Sequence, residues 1–451
     1  MLYFVRKFIL MNILPLLLFS AFSILKSFTQ EVDHNVEPGT FDTFEQYYFE
    51  ENEFFDEENG TIILKIGAES PELQPSGVND WFYDVAKIFH AKVITLQHRY
   101  FGKSQPYKTT STDHLKYLTV EQAVADYGYF HDHYNESLKK HPWLIVGGSY
   151  PGLLSAFVMK KYPNYFYAAI SSAGVVFAND NLTDFDIQVA ISMGQECAAI
   201  ARETRIQLDE LIETDESYVR HLFNLSDNFT KADFYFLFAD IFTLGLQYGD
   251  VAHLCGPLID ANRKGSDTVV ALSKYTREVF IPNYGSLEVY ATGYLRDTRS
   301  TNESASRCWF WMTCNQLAYW QTSPGRASIR SPKLTPEHFE KQCEAVFDMD
   351  FTNIRNINEF NKKYDITNNI SHTMFLTNSQ DPWTWSCVTH GTKLGNDDNY
   401  VHTIIGEEMG HHFEFNKPQE NDSPDMKRSR QRILQLLEIW LNEFRNKDNH
   451  N

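Results

Sequence analysis

The chain has 451 residues, 43% of them hydrophobic and 15% aromatic, which is enough to bury a sizeable core and suits one large domain carrying an insertion. There are 59 Asp and Glu against 40 Lys and Arg, a formal net charge of −19, which excludes a basic nucleic-acid-binding surface. The six cysteines include no C-x-x-C pair, so a structural zinc site is not expected, and neither metal nor cofactor is called for.

Arg6 and Lys7 precede an almost wholly apolar run from 8 to 25, and Ala21 and Ser23 have the small-residue spacing of a cleavage site. This predicts a secretory signal over 1–27, the alternative being an uncleaved anchor. Behind such a leader, Cys197, Cys255, Cys308, Cys314, Cys343 and Cys387 favour disulfides, with the pairing left open. Sequons at Asn59, Asn135, Asn181, Asn224, Asn228, Asn302, Asn369 and Asn421 agree with passage through the secretory pathway.

Past an acidic, aromatic start, residues 41–49 predict an early edge strand and 61–66 a second strand ending in Gly67-Ala68-Glu69. A helix is expected over 80–90, a buried strand over 92–97, and a polar loop over 98–104. Thr119 is placed to cap a helix over 119–134. Next comes a buried strand, Trp143-Leu144-Ile145-Val146, running into Gly147-Gly148-Ser149-Tyr150-Pro151-Gly152 and then a helical pattern over 153–162. Residues 165–176 read as a further strand. Strands alternating with helices predict a mostly parallel sheet covered on both faces. Between 184 and 365 the apolar residues recur at helical spacing with few strand-like runs, which marks a mainly helical insertion. Strands return at 373–376 and 400–405, and a last helix is expected over 429–444, with Ile433, Leu437, Trp440 and Leu441 on one face.

A strand, a tight turn with serine at its apex and a helix form the context in which a serine hydroxyl is pushed out of a sheet as a nucleophile. A glycine-rich structural turn is the plainer explanation of that stretch taken alone. The two late strands weigh against it, because one ends at Asp381 and the other at His411-His412. A serine hydroxyl needs a base within reach, and the imidazole needs a carboxylate to fix its tautomer. Ser, Asp and His in that chain order, each beyond a strand, predict the α/β-hydrolase fold carrying the mainly helical insertion. The expected limits are 40–184 and 366–446 for the two halves of the hydrolase domain, with the insertion over 185–365.

Further motifs carry a more specific resemblance. These are Lys65-Ile66-Gly67-Ala68-Glu69, Gln97-His98-Arg99-Tyr100-Phe101-Gly102-Lys103-Ser104-Gln105-Pro106, Leu115-Lys116-Tyr117-Leu118-Thr119-Val120-Glu121-Gln122-Ala123-Val124-Ala125-Asp126, Trp309-Phe310-Trp311-Met312-Thr313-Cys314, Asn378 to Trp383, and Gly410-His411-His412-Phe413-Glu414. With the Gly-Gly-Ser-Tyr-Pro-Gly turn, they resemble the serine peptidase family that contains lysosomal prolyl carboxypeptidase, dipeptidyl peptidase II and thymus-specific serine protease. The likeness runs from about residue 41 to the C-terminus.

The resemblance implies Ser149 as nucleophile, Asp381 as orienting acid and His411 as base. His411 is preferred because it stands three residues before the acidic position, here Glu414; His412 is the fallback. Oxyanion donors would be the amides of Tyr150 and of the Gly67-Ala68 turn, with Ala68 named for the second. The resemblance further implies that the insertion over 185–365 is a mainly helical cap over the sheet's carboxyl edge, and it implies a Cys314–Cys343 disulfide and cleavage beside proline, either from a C-terminus or as an N-terminal dipeptide. Trp309 and Trp383 are the first candidates to line a proline pocket, ahead of Trp311, Trp320 and Trp385. The expected partners are peptides, proline-containing, with neither nucleic acid nor stable membrane insertion, and homodimerisation is left open. The expected location is outside the cell or in the lysosomal or vacuolar lumen. Gln97 and Ala68 depart from a glutamate and a glycine usual in the family. A lipase or esterase with the same three residues, and a hydrolase-fold binding protein without turnover, are the competing readings.

Overall fold

The computed structural model describes residues 23–448 except 38, 77–79, 301–303, 396–399 and 407–408. Most of the predicted leader and Asn302 therefore lie outside the described residues. Short runs rich in Ile, Val, Leu and Thr become strands, as β-branched side chains pack well on a pleated surface. Eight strands form one sheet: β1 (Ser23–Glu31), β2 (Thr43–Glu51), β3 (Ile62–Ile66), β4 (Lys92–Leu96), β5 (Trp143–Gly148), β6 (Ala168–Ser172), β7 (Thr373–Asn378) and β8 (Val401–Gly406). Their order is β1-β2-β4-β3-β5-β6-β7-β8. Only β2 runs against its neighbours β1 and β4; every other pairing is parallel. This is the α/β-hydrolase fold.

One expectation needs correction. The strand predicted at 41–49 is not an edge, because β1 covers it along nine residue pairs from Ser23↔Glu51 to Glu31↔Thr43. Residues 23–27, the tail of the predicted leader, supply the first half of that covering strand. Their apolar character had a second explanation as strand.

Alternation along the strands sorts the core into two layers. Ile63, Val93, Leu144, Val146, Ile170 and Met374 face the helices Trp81–Phe89 and Pro424–Asp448, meeting Phe82, Ile433, Leu437 and Trp440. Ile62, Leu64, Ile94, Ile145 and Phe375 face the other way, toward the helices Val120–Tyr134 and Tyr150–Lys161. Each fully buried side chain of this kind contributes roughly 1.5–3 kcal/mol. Thr119 caps the first of these latter helices as expected, accepting the amide of Gln122 at 3.2 Å.

Between β6 and β7 the described chain is mainly helical, beginning with Asp184–Met193, Gln195–Thr214, Glu216–Phe223 and Asp233–Gln247 and ending with Ile357–Lys363. Two disulfides tie this block together, Cys197–Cys255 and Cys314–Cys343. Cys308 and Cys387 are buried free thiols. No described helix is long and apolar enough to cross a membrane.

Candidate active site

Ser149 sits between β5 and the helix Tyr150–Lys161 with φ 66° and ψ −130°. A non-glycine residue held there stores about 1–3 kcal/mol of backbone strain. The surrounding glycines make the turn sterically feasible. A Cβ on Gly147 would strike the carbonyl of Pro151, and one on Gly152 would stand 2.8 Å from the carbonyl of Ser172. The helix begins at Tyr150, three residues before its predicted start. Pro151 is accommodated there because first-turn amides have no helical partner.

Asp381 and His411 meet beyond the ends of β7 and β8. His411 Nδ1 bonds Asp381 Oδ2 at 2.6 Å, and both side chains are fully buried. With its proton on Nδ1 facing a carboxylate, the ring presents a bare Nε2. Asp381 Oδ1 also accepts the amide of Trp383 at 3.0 Å, as the N-cap of the short helix Pro382–Ser386. Nε2 of His411 and Oγ of Ser149 are both buried and hydrogen-bonded to no described residue. No hydrogen bond therefore joins Ser149 to His411 in this structure.

The adjacent His412 takes a different place. Its backbone is left-handed at φ 42°, and its ring packs where a side chain on Gly148 would be, 3.1 Å from that Cβ position. Burial, with His411 beside it, lowers its pKa to about 3. It is a neutral wall behind the Ser149 turn, and Asp381 pairs with His411.

Three supports that sequence inspection missed hold these loops. Gln247, the last residue of its helix, accepts the His411 amide on its backbone oxygen at 2.9 Å and the Trp383 indole N–H on Oε1 at 2.9 Å. Glu414 is fully buried and accepts from Ser172 Oγ and, at 3.1 Å, from Asn378 Nδ2. Asn378 Nδ2 also donates to Gly410 O at 2.7 Å. The helix Asp184–Met193 adds Gln188 Nε2 to Ser379 O at 3.0 Å and Ser192 Oγ to Gln380 O at 3.1 Å. A polar residue at a helix end has no pattern to betray such roles.

The amide of Tyr150 opens its helix beside Ser149, where unpaired N–H groups favour negative charge. In the turn after β3, the Gly67 amide bonds Leu96 O at 2.8 Å, which leaves Ala68 as the neighbouring donor. Ala68 is exposed and is not among the residues held at positive φ, so its methyl group costs the turn nothing. The Tyr150 ring is fixed from behind: His98 Nδ1 donates to Arg99 O at 2.7 Å, so Nε2 accepts the Tyr150 hydroxyl at 3.0 Å. Burial lowers the His98 pKa to about 4, which keeps it neutral.

Arg99 is itself fully buried. It grips Asp126 through Nε at 2.7 Å and Nη2 at 2.5 Å, and donates to the carbonyls of Glu31, Val32 and Tyr117. Gln97 does its work uncharged, with Oε1 accepting from the amides of Lys103 and Ser104 and from Ser104 Oγ at 3.0–3.1 Å.

Of the tryptophans, half-buried Trp309 lies edge-on to Tyr150 at 5.3 Å. Trp383 is buried against Tyr319 and Phe185 at 5.8 and 4.9 Å. Trp311 and Trp320 belong to the core of the helical block, and Trp385 is exposed. A surface cleft lined by Thr389, Leu394 and His402 contains none of the candidate site residues. Chemistry, not concavity, marks the site.

Sequence comparison now decides the kinship: the family described as "Serine carboxypeptidase S28" matches residues 30–433. The chain belongs to that family. It is 32% identical over 451 residues to "Probable serine protease EDA2" of Arabidopsis thaliana, covering 93% of this chain and 88% of that protein. It is 24% identical over 439 residues to the thymus-specific serine protease of Mus musculus, covering 89% and 85% respectively. A shorter stretch of 161 residues is 30% identical to the lysosomal Pro-X carboxypeptidase of Homo sapiens, covering 34% of this chain and 32% of that one. This S28 chain is thus a member of a serine peptidase family, and its Gly147–Gly152 turn, Asp381 and His411 all fall inside the matched residues.

Proposed function

We propose that this S28 chain is a secreted or lysosomal serine exopeptidase that hydrolyses peptide bonds beside proline. The observation that carries the reading is the buried His411–Asp381 bond at 2.6 Å, beyond the same sheet edge as a serine held at φ 66°.

In this mechanism His411 Nε2 takes the Ser149 proton as Oγ attacks the scissile carbonyl. Asp381 holds the ring and stabilises the imidazolium. The amides of Tyr150 and Ala68 receive the oxyanion, and losing one such donor typically costs about 2.7–4 kcal/mol of transition-state stabilisation. The imidazolium protonates the leaving amine, and water then hydrolyses the acyl-enzyme by the reverse sequence. Trp309, half-buried against Tyr150, supports an apolar wall of the kind a proline ring needs. The name of the human relative adds weight to proline as the preferred neighbour. Two disulfides support folding in an oxidising compartment. The seven described sequon asparagines are all exposed and accessible to a glycosyltransferase.

The test pairs a fluorophosphonate probe with product analysis. The wild-type chain should be labelled at Ser149 and should cleave proline-containing peptides, and Ser149→Ala should do neither while keeping the wild-type melting curve. Full peptidase activity in Ser149→Ala would sink the assignment.

A further inference from the structure

The loop after β3 carries one ionisable side chain that this mechanism does not use. Glu69 directly follows the Gly67-Ala68 turn and is only 6% exposed. Among the described residues no cation and no side-chain donor reaches its carboxyl; its one hydrogen bond comes from its own backbone N–H. Burial pushes its pKa up to about 7, against the pull of that N–H and of nearby His411. Its charge is felt by His411, Tyr150, Tyr248 and Tyr319. Those four belong to the histidine loop, the nucleophile turn, the end of the helix Asp233–Gln247 and the segment after Thr313–Leu317. β3 and β5 pair in parallel with Lys65 opposite Val146, so the loop that carries Glu69 leaves the sheet at the same edge as the Ser149 turn.

Other buried carboxyls in the chain are differently treated. Asp126 is gripped by Arg99, Asp233 takes Thr292 and Gln342, and Glu414 takes Ser172 and Asn378. A buried acid without a partner is costly, and a position beside the nucleophile is where a substrate can supply the partner. The cation that every unmodified peptide brings is its α-ammonium group. Among the described residues, the buried guanidinium groups that could anchor a C-terminal carboxylate already face anions or carbonyl oxygens. Arg99 faces Asp126, Arg205 faces Asp209 and the carbonyls of Arg326 and Ser328, Arg307 faces the carbonyls of Thr110 and Leu295, and Arg430 faces Asp422 and the carbonyls of Glu414 and Asn416. Arg330 donates to Gln321 and lies 3.6 Å from Asp240, so although its Nε and Nη1 bond no described residue, a second carboxylate there would meet one already in place.

We infer that Glu69 receives the free α-ammonium group of the substrate, so that the chain cuts short units from the amino terminus. The inference rests on the peptidase reading above. The N-terminal unit forms the ester with Ser149 Oγ as the peptide C–N bond breaks. The remaining peptide leaves as an amine carrying the proton from His411, and water releases the acyl unit with its new carboxyl group.

The test uses one X-Pro peptide in three forms: free at both ends, N-acetylated, and C-amidated. Enzyme is titrated with fluorophosphonate, so that only folded, competent Ser149 is counted. The free-amine peptide should exceed the acetylated one in kcat/KM by on the order of a hundredfold, the difference lying in KM. C-amidation should change little. In Glu69→Gln the free-to-acetylated ratio should collapse toward one, and Glu69→Asp should keep part of it. If Glu69→Gln fails to fold, the wild-type ratio alone decides. Equal cleavage of free and acetylated peptides, or loss of cleavage on C-amidation, overturns the inference and leaves the peptidase reading standing. Labelled enzyme that cuts none of the three overturns both.

Discussion

The backbone oxygen of Gln247 accepts the amide of His411 at 2.9 Å, and its side-chain oxygen accepts the indole N–H of Trp383 at the same distance. One residue at the end of a helix in the inserted block thereby sets the height of both loops that deliver Asp381 and His411. Gln247→Ala leaves the backbone bond but strands a buried indole N–H, at a cost of about 1–3 kcal/mol. The expected outcome is a roughly tenfold fall in kcat with KM nearly unchanged. Steady-state kinetics beside a melting curve checks it, and Gln247→Glu, which keeps an acceptor, should recover most of the loss.

His411 and His412 should separate cleanly. Only His411 bonds Asp381, so His411→Ala should lower kcat by roughly ten-thousandfold or more. His412 is held at φ 42°, a conformation asparagine tolerates. His412→Asn should keep activity within about tenfold of the wild type, because the loss is one of packing on Gly148 and not of the base. Comparable losses in the two variants would remove His411 from its proposed role.

Arg99→Ala should be the most damaging change away from the reacting groups. It leaves Asp126 buried without its main counter-charge and frees three carbonyls, for a destabilisation of about 3–5 kcal/mol. Arg99→Lys should not rescue, since an ammonium cannot reproduce the two-pronged grip. Denaturant titration of the three proteins is the check.

Glu69 makes a prediction in pH. Unfolded, its carboxyl ionises near the ordinary value of 4.5; folded, burial holds the proton until about 7. Between those values the native state keeps a proton that the unfolded state has released, so stability falls as pH rises through the window, and the penalty is complete above it. Glu69→Gln carries no such penalty. Its melting temperature should exceed that of the wild type at pH 8, by the equivalent of at most about 3 kcal/mol, and match it near pH 4. A constant offset across that range would mean that Glu69 is not held protonated by burial.

The positions of Ser149, Asp381 and His411 at strand ends were legible because each stands just past a run whose composition announces a strand. The parallel core and helical block were legible for the same reason of period. The partners were not. Nothing in a linear pattern joins Arg99 to Asp126, or Gln247 to a histidine far downstream, because such bonds follow from tertiary proximity alone. β1 escaped notice for a different cause: an apolar run before an acidic stretch fits a leader as well as a strand, and only its register with β2 tells them apart. The unpaired state of Glu69 is likewise a property of what fails to surround it.

Both disulfides staple the same part of the chain. Cys197, Cys255, Cys314 and Cys343 all lie between β6 and β7, and neither bridge reaches a residue of the sheet. Closing chain segments of 58 and 29 residues stabilises each by roughly 3–4 kcal/mol, and that support falls on the block that contains Gln247. A chain made under reducing conditions would keep its strained serine yet lose the frame that aligns the base with it.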